Sequence, residues 1–380
     1  MRVCYFGTYR ANYSRNQIMI EGLRRNGVEV VECQQRLWHG LEDRVRVASG
    51  GWLRPSFWWR VLRTYARLLR RYRRVGDYDV LIVGYPGQFD VFLARLLSRL
   101  RHRPLVWDIF MSIYLIALER GLTEESRTTV NLIRRVERMA CRLPDLLILD
   151  TVEYVAWFGA THGVPSERFR LIPTGADDRV FRPVANKSAD EGLFRVVYYG
   201  TFIPNHGVEH IVEAARLLAD DPSISFELIG EGPDKDKAVA LARRYNLSNV
   251  DFVGWLSKEE LMKRVSKADI CLGVFGTTPQ SLMTVQNKIY EGLAMARPVI
   301  TGDAPAVRQA LVHGEHVYLC ERANPQALAD AVRTLKADPD LRRRLAESGH
   351  RLYREKFDLQ HNGARYAAHL RELVSATTTN

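Results

Sequence analysis

The sequence predicts an α/β protein of two doubly wound, Rossmann-like domains, and three observations carry that expectation. The chain has 380 residues, more than one hydrophobic core ordinarily holds and suited to two domains of roughly 150–200 residues. Short apolar runs alternate with amphipathic stretches in both halves, the pattern of parallel strands and the helices that cross between them. A segment of linker composition, PVANKSADEGL at 183–193, separates the two series. The expected organisation is a first domain over 1–182, the linker over 183–193, a second domain over 194–357, a helix over 358–374 that returns to the first domain, and a frayed tail over 375–380.

The first series opens with RVCYF, a strand that ends at Gly7. Ile18, Ile20 and Leu23 give helical spacing over 15–26, and Asn26-Gly27 is a helix stop before a second strand at 28–31. Pro55-Ser56 opens an amphipathic helix to 74, with Trp58, Val61, Leu62, Tyr65, Leu68, Leu69 and Tyr72 on one face and arginines on the rest. Strands follow at 80–83, 105–107, 146–149 and 169–172, with helices at 90–101, 127–141 and 151–162. The second series reads as strands at 194–199, 225–229, 250–253, 269–274 and 298–301. Its helices read at 207–219, 234–245, 258–266, 286–295, 305–312, 325–337 and from 339.

Composition narrows the class. A hydrophobic content of 46% and a charged content of 26% are those of a globular protein. No apolar run reaches the ~18–20 residues that a spanning helix needs, and the N-terminus reads as a strand, not a secretion signal. Five scattered cysteines without a CxxC pair or metal spacing suggest reduced thiols in a cytoplasmic protein. The net charge of +11 is unevenly placed: residues 1–185 hold 30 arginines, no lysine and 19 acidic residues, whereas the remainder balances 25 against 25. That asymmetry points to an anionic partner for the first half, or to a merely solvated basic surface. No aromatic–basic nucleic-acid module is recognisable, and no nucleic-acid partner is expected.

Three stretches of the second half stand where an open α/β sheet binds ligands, beyond the carboxyl ends of its strands. In Tyr199-Gly200-Thr201-Phe202-Ile203-Pro204-Asn205-His206-Gly207 the glycines let backbone approach a phosphate at a helix N-terminus. In Gly230-Glu231-Gly232-Pro233 they suit a tight turn at the sheet edge. Either stretch also fits a turn that serves packing alone. In the third, running from Asn287 to Ile300, Glu291 near a helix start can accept two vicinal ribose hydroxyls and Lys288 can neutralise phosphate charge. The alternative for Glu291 is an acid that complements the helix dipole.

In this order and spacing the three stretches resemble the C-terminal domain of family-four retaining glycosyltransferases. Pro173-Thr174-Gly175-Ala176-Asp177 with Phe181-Arg182-Pro183 is similar to that family's interdomain junction, Val253-Gly254-Trp255 to a base-proximal strand end, and Phe357-Asp358 with the following helix to its closing crossover. The resemblance implies the GT-B architecture, two Rossmann-like domains facing across a cleft, and transfer of a sugar from a nucleotide-diphosphate donor such as a UDP- or GDP-sugar. It places Glu291 on the donor ribose, as the second glutamate of an E-x₇-E motif. Gly200 and Gly207 fall on the phosphate-side loop, Glu231, Gly232 and Pro233 beside the nucleotide, and Gly7 and Thr8 on the facing loop of the first domain.

Three polar contacts of the family pattern are altered. Met283 stands where the first glutamate would be, Thr201 and His206 stand where an Arg and a Lys would clamp the diphosphate, and Asp108 or Ile109 stands near the position of the acceptor-side histidine. The expected compensation is a phosphate grip by His206, Lys288 and helix amides, with Asp108 orienting the acceptor and no metal required. Trp52, Trp58, Trp59, Arg60, Arg63 and Arg67 combine interfacial aromatics with cations, as an anionic membrane face would, unless the aromatics pack into the core. The function expected is retaining transfer to a glycan or lipid-linked acceptor in cell-envelope polysaccharide or glycolipid synthesis, peripheral on the inner membrane face. The alternatives left open are a non-catalytic relative that binds nucleotide sugar or glycan, and an epimerase-like enzyme.

Overall fold

The computed structural model describes residues 1–37, 54–184 and 192–378. Two compact units divide it, one made of Met1–Pro173 and Leu359–Asn380, the other of Thr174–Asp358. Each contains one six-stranded, all-parallel sheet.

In the first unit β1 (Arg2–Gly7), β2 (Glu29–Gln34), β3 (Val80–Val83), β4 (Leu105–Asp108), β5 (Leu146–Leu149) and β6 (Phe169–Leu171) lie in the order β2-β1-β3-β4-β5-β6. In the second, β7 (Phe194–Tyr199), β8 (Ile224–Ile229), β9 (Val250–Val253), β10 (Ile270–Leu272), β11 (Val299–Gly302) and β12 (Tyr318–Cys320) lie in the order β12-β11-β10-β7-β8-β9. Helices cover both faces, so the central strands Val-Leu-Ile-Val of β3 and Leu-Leu-Ile-Leu of β5 are wholly buried. The strand order reverses between β1 and β3 in one sheet and between β7 and β10 in the other. A doubly wound sheet offers a crevice to a ligand at such a reversal.

The units meet earlier in the chain than the expected boundary at 182. Residues 174–182 belong to the second unit because Ala176 and Phe181 are buried in its core beside Val197 and Tyr199, and the Tyr353 hydroxyl donates to Ala176 O at 3.1 Å. Most of the expected linker lies outside the described residues. The closing helix runs Leu359–Thr378, longer than expected, so residues 375–378 are helical. Its Leu359, Tyr366 and Leu370 are fully buried in the first unit's core with Ile18 and Leu23.

That closing helix packs backbone to backbone on the helix Ser14–Arg25. A methyl group on Gly363 would stand 1.9 Å from Gly22 O, and one on Gly22 would stand 3.0 Å from Leu359 O. Asn26 and Gln360 tie the ends, each side-chain amide donating to the other residue at 2.9 Å. Gly363→Ala is therefore expected to cost about 1–3 kcal/mol through overpacking, read as a lower midpoint of thermal unfolding. An unchanged midpoint would show that the two helices separate without cost.

Candidate functional site

At the reversal of the second sheet, the loops that leave β7, β8 and β10 converge, and only glycine permits their approach. An ideal Cβ on Gly230 would lie 1.9 Å from Gly200 O, and one on Gly207 would lie 2.6 Å from Gly276 N. Gly200, Gly207, Gly230 and Gly232 all have positive φ, which side chains rarely adopt. Backbone bonds lace the loops together: Phe202 N donates to Glu231 O at 2.9 Å, Asp234 N to Phe202 O at 3.1 Å, and Phe275 N to His206 O at 2.9 Å. Two helix N-termini open there, Val208–Arg216 behind Gly207 and Asn287–Ala294 behind Gln286, and neither has a side-chain cap. Their first amides are therefore left for a ligand.

Lys288 reaches into this crossing from the second of those helices. A Cβ on Gly200 would stand 2.8 Å from its Nζ, so glycine makes the room that the ammonium fills. The Nζ lies 4.2 Å from the ring centre of Tyr198 and 3.2 Å from His206 Nδ1. Lys288 is buried and forms no ion pair with a carboxylate among the described residues. Burial pushes its ammonium down to about 7, with only Glu291 pulling the other way. Burial likewise pushes the Glu291 carboxyl up to about 7, against the opposing pull of the Tyr199 hydroxyl and of Lys288. A buried cation without a counter-ion is costly. An anion seated over Gly200 would remove that cost.

The remaining donor-side residues divide. His206 is held far below the usual histidine range by burial and then by Lys288, so its ring is neutral. Its Nδ1 lies 2.5 Å from Thr201 O and 2.8 Å from the Tyr198 hydroxyl. His206, expected in the phosphate grip, thus lies beside Lys288 as a neutral ring held by the Thr201 carbonyl and the Tyr198 hydroxyl, and supplies no positive charge. Glu231 is paired to Lys235 at 2.6 Å with its side chain half exposed, and Pro233 is exposed beside Gly232 at the mouth of the turn.

Met283 closes a short helix, Pro279–Met283, that the sequence reading did not identify, although Thr278-Pro279 is a helix-start signal. That reading also gave no site role to Tyr198, Gly276 and Arg322. Arg322 braces the loop after β10: its Nη1 donates to Gly276 O and to Ser281 Oγ, each at 2.7 Å, and its Nε donates to Asp303 O at 2.7 Å.

The equivalent place in the first sheet is already filled. Asp90, at the start of the helix Asp90–Leu100, accepts from Thr8 N at 2.7 Å, from Thr8 Oγ1 at 3.0 Å and from the Tyr65 hydroxyl at 2.7 Å. Burial pushes its carboxyl up to about 6 against those bonds. Gly7 leaves room for this carboxylate, which would lie 2.7 Å from a Cβ there. Gly7 and Thr8, expected on the loop that faces the donor, thus have the Thr8 N and Oγ1 donors engaged by Asp90. Asp108 is corrected too. It is fully buried and both of its oxygens accept from Arg15, at 2.9 and 3.0 Å, while Arg15 also donates to Ile172 O. It anchors the first unit and cannot reach an acceptor. Of the aromatic–basic residues, Trp52 lies outside the described residues, Trp58, Trp59, Arg63 and Arg67 are exposed, and Arg60 lies half-buried over the Phe57 ring.

Two doubly wound parallel sheets define an α/β class whose ligands bind where the strand order reverses. The chain belongs to the glycosyltransferase group 1 family: the model described as "Glycosyl transferases group 1" matches residues 184–352, and a "Glycosyl transferase 4-like domain" matches 15–175. It is an enzyme, a glycosyltransferase. A curated relative, alpha-D-kanosaminyltransferase of Streptomyces kanamyceticus, is 27% identical over 335 residues, 85% of this chain and 83% of its own. The GT-B fold is seen in sucrose-phosphate synthase from Thermosynechococcus elongatus, with TM-score 0.74 at 19% identity over 99% of both chains. It is seen again in Anabaena HepE in complex with UDP, with TM-score 0.70 at 16% identity over 98% of this chain and 99% of that one. HepE has also been solved with UDP-glucose.

A lysine whose pKa is lowered by folding binds fewer protons in the native state between about pH 7 and its unfolded value of 10.5. Its contribution makes native stability rise with pH across that window, and the full cost is present below about pH 7. Lys288→Met is therefore expected to raise the unfolding midpoint at pH 6.5, by on the order of 1–4 kcal/mol, and to flatten the rise above pH 7. A lower midpoint for the variant would mean that Lys288 is compensated in the native state.

Proposed function

We propose that the protein is a retaining glycosyltransferase that moves a hexosyl group from a UDP-sugar to a glycan or lipid-linked acceptor of the cell envelope. The observation that carries this reading is the buried Lys288 side chain over Gly200, with no carboxylate paired to it among the described residues, flanked by two helix N-termini without side-chain caps. A diphosphate has the charge and the acceptor atoms that these groups lack. Glu291, one helical turn from Lys288, takes the two ribose hydroxyls. The complexes of HepE with UDP and UDP-glucose support uridine as the base.

Catalysis then consists of positioning and charge stabilisation. The bond from the anomeric carbon to the diphosphate oxygen breaks as the acceptor oxygen bonds to the same face of that carbon. The acceptor's proton passes to the departing diphosphate. Lys288 and the helix amides stabilise the charge that develops there. Positive charge for the leaving group is supplied by the chain itself, so this reading has transfer continuing in EDTA.

A thermal-shift panel of UDP, GDP, ADP and dTDP with their sugars tests the proposal. The UDP series at about 100 times its dissociation constant is expected to stabilise the fold by roughly 2.7 kcal/mol, and Glu291→Gln is expected to lose most of that shift. Proton NMR of the product is expected to show the donor's anomeric configuration. A shift with another base alone would overturn the uridine assignment, and an inverted product would overturn the same-face mechanism.

A further inference from the structure

We propose that the outer faces of two neighbouring helices in the first unit, Pro55–Tyr72 and Asp90–Leu100, together form a docking surface for an anionic lipid bilayer. The sequence reading placed such a face on the first helix alone. The structure adds a second stripe and shows that the aromatics at its edge do not enter the core. Trp58, Trp59 and Leu62 are 56%, 66% and 61% exposed, while Leu68 and Tyr72, further along the helix, are buried. On the second helix and its cap residue, Phe89, Phe92, Leu96 and Leu100 are 50%, 38%, 57% and 70% exposed. Their spacing of three and four residues makes one outward stripe.

The two stripes adjoin. Trp58, Leu62 and Tyr65 share one helical face, and the Tyr65 hydroxyl on that face donates to Asp90 Oδ1 at the start of the second helix. At the far end the Arg101 guanidinium, just past the second helix, lies 4.8 Å from the ring centre of Tyr72. The helices therefore run side by side and in the same direction. Seven large apolar side chains on one surface exceed the scattered exposure that a soluble face normally shows.

Charge selects the occupant. Residues 54–76 contain eight arginines and no Asp or Glu, and residues 91–104 contain four arginines and no Asp or Glu. Arg63, Arg67, Arg70, Arg71, Arg74, Arg99 and Arg103 are exposed. A second copy seated on this face about a two-fold axis would bring arginines against arginines, and neither segment offers a carboxylate to separate them. An anionic bilayer supplies acyl chains for Trp58, Trp59, Leu62 and Leu96 and lipid phosphates for the arginines at the same depth. Among the described residues no helix is long and apolar enough to cross a membrane, so this mode lies on the surface. The inference is independent of the donor and acceptor assignments.

Co-sedimentation with vesicles tests it, using phosphatidylcholine alone and phosphatidylcholine with about one-third phosphatidylglycerol, whose negative surface potential attracts basic segments. The protein is expected to bind only the anionic vesicles, less as salt rises, with a blue shift of tryptophan emission. The pair Arg63→Gln/Arg67→Gln should weaken binding about 25-fold, about fivefold for each arginine. The pair Trp59→Ser/Leu96→Ser should weaken it more than about tenfold, from lost apolar burial. Both pairs lie on the surface and are expected to keep the wild-type unfolding midpoint, which separates loss of binding from loss of fold. Equal binding to neutral vesicles, or variants that bind like the wild type, would overturn the proposal. So would a dimer in sedimentation velocity that Trp59→Ser dissociates, since the face would then belong to a second copy.

Discussion

Everything at the candidate donor site depends on one close approach, in which the loop after β7 crosses the loops after β8 and β10 with no side chain between them. Gly200, Gly230, Gly207 and Gly276 make the crossing possible, and the space that Gly200 lacks a side chain to fill is taken by the Lys288 ammonium. Burial there removes water from the cation, and no carboxylate among the described residues takes water's place. The fold thus holds an amine in place whose charged form is disfavoured until an anion arrives, with its position set before the substrate binds.

The same topology carries opposite electrostatics in the two units. Where the first sheet reverses its strand order, the polar groups satisfy one another: Asp90 takes the donors of Thr8 and Tyr65, and Arg15 takes both oxygens of Asp108. Where the second sheet reverses, the lysine meets a neutral ring and no carboxylate among the described residues, and the helix starts carry no side-chain cap. A doubly wound sheet can therefore serve as a closed scaffold or as an anion site, and which it becomes is decided by a few side chains at the strand ends. In this chain the glycine crossing and Lys288 lie in the second unit, while exposed arginines of the first lie on outer helices away from its buried ion pairs.

Much of this was legible in the sequence, because most strands are short, wholly apolar runs followed by glycine or by a capped helix. Strands at 80–83, 146–149, 194–199 and 250–253 fall where the pattern places them. Glu291 and Lys288 were named because they stand near a helix start beside glycine loops, and the structure buries both there. The surroundings of Asp108, at a strand end, and of His206, in the turn after β7, could not be read from residue type, which says nothing of a partner distant in sequence. Arg15 lies 93 positions from Asp108, and Lys288 lies 82 from His206. The short helix Pro279–Met283 and strand Tyr318–Cys320 are too brief for periodicity to register. Trp58 shares a helical face with half-buried Tyr65, so only the packed structure distinguishes the exposed residue from the covered one.

The central claim is that Lys288 waits, largely discharged, for a diphosphate. Titration calorimetry of UDP at pH 8 in two buffers of different ionisation enthalpy measures the protons taken up on binding. With the free lysine near 7 and restored toward its ordinary value by the diphosphate, uptake close to one proton per UDP is predicted. Uptake near zero, with UDP still bound, would mean that the ammonium is charged before the ligand arrives, and the account of the site would fail.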